Sequence, residues 1–331
     1  MLFEKRLATA FLTAALLAPI PAAGAELRPG VVVDVERQRL YLMSPDKAVE
    51  AVDLANGRVL WQSDRAARPL ALGDGKLTAQ SENVDTPNTL GLVVLDAERG
   101  EPVTQNALAL PAGIEASVDD RLESRFRASA VTVGGNAYVS WNHQEVPVRA
   151  LPPLTGLPGA RQPGSPSPQS LQPPPAPAQK VSSGTIELNL STGSISETSP
   201  AALPPATVTA MQAGARPPVR AVGPRQRLSV DGNHVLTSER VGDDRVWDKY
   251  RWTVNERETG RKVGELRVHL SQAAFIVLGS RIVFETGPFA RRTSGGVVNE
   301  PPKVRAVDLA TGEEIWGRAV RDTAFRGALP P

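Results

Sequence analysis

The sequence predicts an all-β fold, a β-propeller built from four-stranded antiparallel blades, on three observations. First, an acidic or amide residue stands four positions before a glycine in five separate segments. Second, each segment follows two apolar runs that meet at a short turn, and most of these turns carry the glycine or asparagine that tight β-hairpins require. Third, no stretch keeps a helical period long enough to compete with these strands. A unit of four short strands that recurs along the chain is typical of a propeller blade.

The clearest copies of the repeat lie near the two ends of the chain. Residues 51–61 read AVDLANGRVLW and residues 306–316 read AVDLATGEEIW, which are identical at seven of eleven positions. The acidic side chain can accept hydrogen bonds from the turn, the glycine supplies a left-handed residue, and the tryptophan can bury a large surface. We therefore interpret the motif as structural. Its residues are Asp53, Gly57 and Trp61; Asp96 and Gly100; Asn189 and Gly193; Glu256 and Gly260; and Asp308, Gly312 and Trp316.

Each unit is interpreted as strands A to D, with the motif glycine in the turn between C and D. The turns between A and B are placed at 36–37, 73–75, 134–136, 231–233 and 279–281. These units predict five blades over residues 31–320. Six blades are the alternative, because the interval from Gly100 to Gly193 is about twice the length of one blade.

Proline is concentrated in that long interval, where residues 152–177 hold ten of the 30 prolines. Because proline donates no hydrogen bond to a β-ladder, residues 152–180 are predicted to be a disordered, proline-rich loop within blade 3. Residues 199–224 are predicted to be a second loop, rich in proline and alanine. Since the repeat continues on both sides of each loop, residues 26–331 are predicted to form a single domain.

The first 25 residues are typical of a secretory signal peptide. Lys5 and Arg6 precede the apolar run 7–18, and the small residues 23–25 predict cleavage after Ala25. Prolines at positions 19 and 21 end this run well before it could cross a bilayer, so no transmembrane span is predicted. The absence of cysteine excludes a thioether lipid anchor. The sequence predicts a periplasmic protein, with secretion to the medium as the second outcome.

Composition and motifs give little support for catalysis. The 37 basic and 35 acidic side chains create no global field that would attract nucleic acid. The chain has no cysteine, and its three histidines lie in different units without the spacing of a metal site. The pairs Asp119–Asp120 and Asp243–Asp244 are more typical of solvated loops than of glycosidase carboxylates. The sequence therefore predicts no catalytic residue, no cofactor and no metal.

The two terminal copies of the motif resemble the tryptophan-docking repeat of the pyrroloquinoline quinone (PQQ) dehydrogenase-like propellers, Ala-x-Asp-x-x-Thr-Gly-x-x-x-Trp. Residues 306–316 match it in full, residues 51–61 have Asn56 at the threonine position, and the middle copies lack the tryptophan. The resemblance implies that Trp61 and Trp316 pack between neighbouring blades. It also implies either a non-catalytic scaffold that binds proteins or a dehydrogenase that holds PQQ and calcium over the axis. Because the chain is short for eight blades and has no vicinal cysteines, we favour the scaffold; a quinone-dependent or sugar-active enzyme is the alternative.

Loop lengths predict where a partner would bind. In an antiparallel blade the A–B and C–D turns lie on one face and the B–C and D–A connections on the other, and the long insertions all fall in the second set. Insertions on one face of a repeat protein typically mark its binding face. The expected partner is a protein or another component of the cell envelope. Candidate binding residues, chosen because Trp, Tyr and Arg are enriched in binding hot spots, are Trp141, His143, Trp247, Tyr250, Phe289, Arg291 and Arg292.

Overall fold

The computed structural model describes most of the chain from residue 25 onward and confirms the all-β propeller architecture. The described residues are 25–46, 48–81, 89–111, 122–147, 181–205, 207–209, 223, 225–242, 247–293 and 296–321. The predicted signal peptide, apart from Ala25, and the proline-rich loop 152–180 lie outside these residues, as does much of the loop 199–224.

The described strands form five antiparallel blades and one additional hairpin. Blade 1 contains β1 (Ala25–Arg28), β2 (Val31–Asp34), β3 (Arg39–Met43), β4 (Val49–Asp53) and β5 (Val59–Ser63). Blade 2 contains β6 (Arg68–Gly73), β7 (Lys76–Gln80), β8 (Thr89–Asp96) and β9 (Pro102–Ala109). Blade 3 contains β10 (Leu122–Val133), β11 (Asn136–Pro147), β12 (Val181–Asn189) and β13 (Ile195–Glu197) and is followed by a 3-10 turn (Pro200–Ala202). Blade 4 contains β14 (Gln226–Leu228), β15 (His234–Arg240), β16 (Tyr250–Glu256) and β17 (Lys262–Val268). Blade 5 contains β18 (Phe275–Leu278), β19 (Arg281–Thr286), β22 (Lys303–Asp308) and β23 (Glu314–Ala319), and the hairpin is β20 (Phe289–Thr293) with β21 (Gly296–Glu300).

Two elements differ from the sequence-based expectation. The B–C connection of blade 5 was predicted to be a loop, but it contains the β20–β21 hairpin. Blade 1 has an additional inner strand, β1, which pairs with β2 and begins at Ala25. A four-residue strand next to the predicted cleavage site carries no periodicity that could be recognised in the sequence alone.

The core lies between neighbouring blades. Alternate residues of β3 face opposite sides, so that Tyr41 packs in the apolar cluster shared with blade 2, whereas Leu40 packs in the cluster shared with blade 5. Because both faces of such a strand are covered, its buried residues form a continuous apolar run rather than an alternating pattern. Further clusters join blade 2 to blade 3 and blade 4 to blade 5.

The motif turns use the expected hydrogen-bond chemistry. In blade 1, the Ala55 amide donates to Asp53 Oδ1 (2.6 Å), and the Gly57 amide donates to the Asp53 carbonyl (2.8 Å). Gly57 has φ +72°, a left-handed conformation that favours glycine. Asp96, Asn189 and Asp308 make the same side-chain contacts to their turns. In blade 4 the longer Glu256 side chain instead accepts from Thr259 Oγ1 (2.6 Å) and Arg261.

The two motif tryptophans each dock on the turn of the next blade. Trp61 Nε1 donates to the Ala97 carbonyl of blade 2 (3.2 Å), and its indole covers Gly100. Trp316 Nε1 donates to the Leu54 carbonyl of blade 1 (3.0 Å), and its indole covers Gly57. The second contact joins residues 262 positions apart and holds the last blade against the first.

The other blade interfaces use smaller residues at the tryptophan position. Between blades 2 and 3, Asn106 Nδ2 donates to the Gly193 carbonyl (2.8 Å) beside Thr104. Between blades 4 and 5, Gly264 lies directly against the backbone of Leu309. None of the apolar clusters among the described residues contains residues of both blade 3 and blade 4. Contiguous apolar packing among the described residues therefore runs from blade 3 through blades 2, 1 and 5 to blade 4, and it crosses the junction between blades 5 and 1.

Candidate binding face

The two faces of the propeller differ in the length of their connections. On one face the described A–B and C–D turns are short, such as residues 74–75 and 97–101. On the other face, called here the B–C/D–A face, the connections include residues 241–249 and the insertion 287–302 that forms the β20–β21 hairpin. This asymmetry places the candidate binding residues of blades 4 and 5 at one end of the molecule.

Trp141 and His143 do not belong to an exposed surface, which corrects the sequence-based prediction for these two residues. Both lie within β11, which continues to Pro147, and their side chains are 6% and 1% exposed. Trp141 stacks on Phe126 with ring centroids 6.3 Å apart and packs in the core between blades 2 and 3. The sequence indicated this burial, because Ala137, Val139 and Trp141 lie at alternate positions and so share one face of β11.

Three rings from separate connections meet at the B–C/D–A end of blades 4 and 5. The Trp247 and His269 rings stack with centroids 4.8 Å apart, and Phe289 lies 5.1 Å from Trp247 and 4.7 Å from His269. All three side chains are half-buried. We call these residues the aromatic cluster. Trp247 and Phe289 were among the predicted binding residues, whereas His269 was not.

The His269 ring is partly shielded from water within the cluster. Burial lowers its pKa, with Asp248 opposing that shift and Arg305 reinforcing it. Its Nε2 atom is buried and has no hydrogen-bond partner within the described part of the chain. The lowered pKa favours the neutral imidazole, and this ring, packed against both Trp247 and Phe289, extends the apolar surface that they form.

The β20–β21 hairpin, which supplies Phe289 to this cluster, also exposes apolar side chains. Val297 and Val298 are 60% and 45% exposed. Arg291 and Arg292, both predicted binding residues, lie in β20, where their backbones pair with Val298 and Val297. On the B–C/D–A face, the backbones of Arg291 and Arg292 in β20 thus pair with those of the exposed Val298 and Val297 in β21.

Tyr250 begins β16 and lines a separate cavity of about 230 Å³. The cavity lies at the same end of blade 4. Its other lining residues are Arg225, Ser238, Arg240, Ser271 and Gln272. Tyr250 is half-buried there and is not part of the aromatic cluster.

Residues 2–196 match the family described as outer membrane protein assembly factor BamB, and this match covers more than half of the chain. The chain belongs to this family. The BamB match confirms the resemblance to PQQ-like propeller repeats. Blades 4 and 5 lie beyond the matched range, yet Asp308 and Gly312 form the same turn as Asp53 and Gly57.

Several solved structures are similar to the chain, all at low identity. BamB from Moraxella catarrhalis is 12% identical, with 86% of this chain and 62% of that chain covered and a TM-score of 0.25. The quinohemoprotein alcohol dehydrogenase of Pseudomonas putida HK5 is 13% identical, with 91% and 43% covered and a TM-score of 0.27. That of Comamonas testosteroni is 12% identical, with 92% and 46% covered and a TM-score of 0.27. The chain thus spans less than two thirds of each of these proteins.

No curated protein sequence matches the chain. Within the described residues, no helix has both the length and the apolar character needed to cross a membrane.

Proposed function

We propose that this protein is an exported, non-enzymatic scaffold of the cell envelope that binds another protein through the B–C/D–A face. Membership of a family described as an outer membrane protein assembly factor supports a protein-binding role in the envelope. The observation that carries the choice of face is the aromatic cluster, in which Trp247, His269 and Phe289 converge while remaining half-exposed.

The chemistry of this region suits a protein partner. Large, half-exposed rings held by one another lose little conformational freedom on binding, and they bury much apolar area when a partner covers them. By strand register, Val298 lies on the same face of the hairpin as Phe289, whereas Val297 lies on the opposite face, and both are exposed. The sequence also gives this hairpin two positive charges, at Arg291 and Arg292, which favour a partner with acidic groups.

Site-specific photo-crosslinking tests the choice of face. A photoreactive residue at Val298 is compared with one at Glu98, an exposed residue of a C–D turn on the opposite face, in cells that export the chain. We expect Val298 to give an adduct with one defined envelope protein and Glu98 to give none. Trp247→Ala and Phe289→Ala should each lower the adduct yield, whereas Arg58→Ala, at an exposed turn on the opposite face, should leave it unchanged.

Two results would contradict the proposal. Equal adducts from both positions would show that the B–C/D–A face is not selective. No adduct from Val298, together with stabilisation of the purified chain by PQQ and calcium, would favour the enzyme alternative.

Export has its own test. Because β1 begins at Ala25, cleavage after that residue would leave Glu26 as the first residue, still able to pair with Val32 of β2. Intact-mass measurement of the periplasmic fraction should therefore give a chain that starts at Glu26. A full-length mass confined to the cytoplasm would refute the export proposal.

A further inference from the structure

Among the described residues, the inner edges of four blades carry arginines that outnumber the nearby carboxylates. The inner edge strands are β1, β6, β10 and β14, each at the end of its sheet opposite the outermost strand. Two carboxylates, Glu26 and Glu285, lie among these arginines. The arginines, called here the inner arginine cluster, are Arg28, Arg68, Arg127 and Arg227.

The carboxylates neutralise only part of this charge. Arg28 forms an ion pair with Glu285, and the two side chains are 8% and 19% exposed. Burial raises the pKa of Glu285, with Arg28 and Arg227 opposing the shift. Glu26 is a neighbour of Arg68, but burial raises its pKa as well. The guanidinium groups of Arg28, Arg68 and Arg227 therefore share two carboxylates that are themselves costly to ionise. Arg127 is exposed and adds a further positive charge near Arg68.

Arg68 and Gln80 form the part of this cluster that is best suited to a ligand. They lie directly opposite each other as a cross-strand pair of β6 and β7, at the B–C/D–A end of blade 2. Their side chains are 7% and 1% exposed. Arg68 Nε and both polar atoms of the Gln80 amide have no hydrogen-bond partner within the described part of the chain.

Such an arrangement is costly unless something accepts its hydrogen bonds. Buried polar groups are almost always paired, and a buried guanidinium without a matched anion pays a large desolvation cost. Burial lowers the pKa of Arg68; Glu26 opposes this shift, and the positive charges of Arg127 and Arg28 reinforce it. A guanidinium beside an amide N–H donor is a suitable arrangement for two oxygens of a single oxyanion.

We propose that Arg68 and Gln80 form an oxyanion site at the inner edge of blade 2, which takes a carboxylate or phosphate group. Arg68 supplies the charge and a planar set of N–H donors, and the Gln80 amide donates an additional hydrogen bond. This site is independent of the protein-binding role proposed above, because its test uses the purified chain without a partner.

The test measures binding of citrate and of inorganic phosphate to the purified chain, by calorimetry and by thermal unfolding, with sodium chloride balancing the ionic strength. We expect saturable binding and a saturable rise in Tm. Arg68→Gln should weaken binding roughly 10- to 100-fold, and Gln80→Leu, which keeps the charge, roughly 3- to 10-fold. Arg267→Gln removes an exposed arginine of blade 4 and should leave the affinity unchanged.

Saturable binding of either probe supports the site, and the tighter probe identifies whether it prefers carboxylate or phosphate. The proposal is overturned if neither probe saturates, or if Arg68→Gln binds as tightly as the unaltered chain. Should Arg68→Gln fail to fold, Gln80→Leu decides, and an unchanged affinity in that variant overturns the proposal.

Discussion

The docking of Trp316 on blade 1 can be tested by comparing two glycines of the same motif. Gly57 and Gly312 occupy equivalent turn positions, with φ +72° and +75°. A Cβ at Gly57 would come within 2.6 Å of Trp316 Cγ, whereas a Cβ at Gly312 would meet no atom within 4 Å. The two sites therefore share the backbone cost of an alanine and differ in the steric cost.

The expected magnitudes follow from these two costs. A left-handed alanine costs about 1–2 kcal/mol, which is the whole penalty expected for Gly312→Ala. Gly57→Ala also displaces a packed indole, which adds about 1–3 kcal/mol as overpacking. Gly57→Ala should thus lower the free energy of unfolding by about 2–5 kcal/mol in total.

Urea denaturation of both variants measures this difference through the midpoint and slope of each transition. The added cost in Gly57→Ala should largely disappear in a background that also carries Trp316→Ala, because the alanine methyl group then has room. Equal losses for Gly57→Ala and Gly312→Ala would refute the conclusion that Trp316 docking constrains the turn of blade 1.

Three further predictions concern stability. Trp316→Ala should lower the free energy of unfolding by about 3–5 kcal/mol, and by more than Trp61→Ala, because Trp316 is 7% exposed while Trp61 is half-exposed. Urea denaturation midpoints of both variants check this order. Burial raises the pKa of Glu26 above 4.5, so the stability linked to its protonation is present below that pH and is lost as the pH rises. The Tm of the unaltered chain, measured relative to Glu26→Gln, should therefore increase on acidification. Parallel Tm curves for the two proteins would contradict this prediction. Burial lowers the pKa of His269 below 6.5, so the stability linked to its neutral form is present above that pH and is lost on acidification. The Tm of the unaltered chain, measured relative to His269→Phe, should therefore fall as the pH is lowered, a change opposite in sign to that expected for Glu26.

The features predicted well from the sequence are those decided by neighbours along the chain. An Asp-x-x-x-Gly turn forms because Asp53 bonds amides two to four residues away and Gly57 adopts a left-handed conformation locally. The hairpin at residues 74–75 likewise depends on adjacent residues. Such turns can be predicted without knowledge of the fold, because every participating atom lies in one short segment.

The features that sequence analysis missed or placed wrongly depend on distant pairing. Trp141 resembled a loop residue because a proline-rich insertion follows it, but pairing with β10 and β12 extends β11 and buries its ring. The role of His269 depends on Trp247 and Phe289, which come from two other connections. No spacing within one segment indicates the contacts of His269, whereas the alternation of Ala137, Val139 and Trp141 did indicate that Trp141 is buried.

By itself, the sequence determined the repeat, the strand order within each blade, the turn residues and the two docking tryptophans. Only the tertiary structure decided which faces are buried, that β1 forms an inner edge in blade 1, and that apolar packing joins blade 5 to blade 1 through Trp316 and Leu54. The same is true of Arg68 and Gln80, whose burial comes from the blades around them. The physical reason is that turns are set by local hydrogen bonds and backbone dihedrals, whereas burial and charge pairing depend on which segments meet in space.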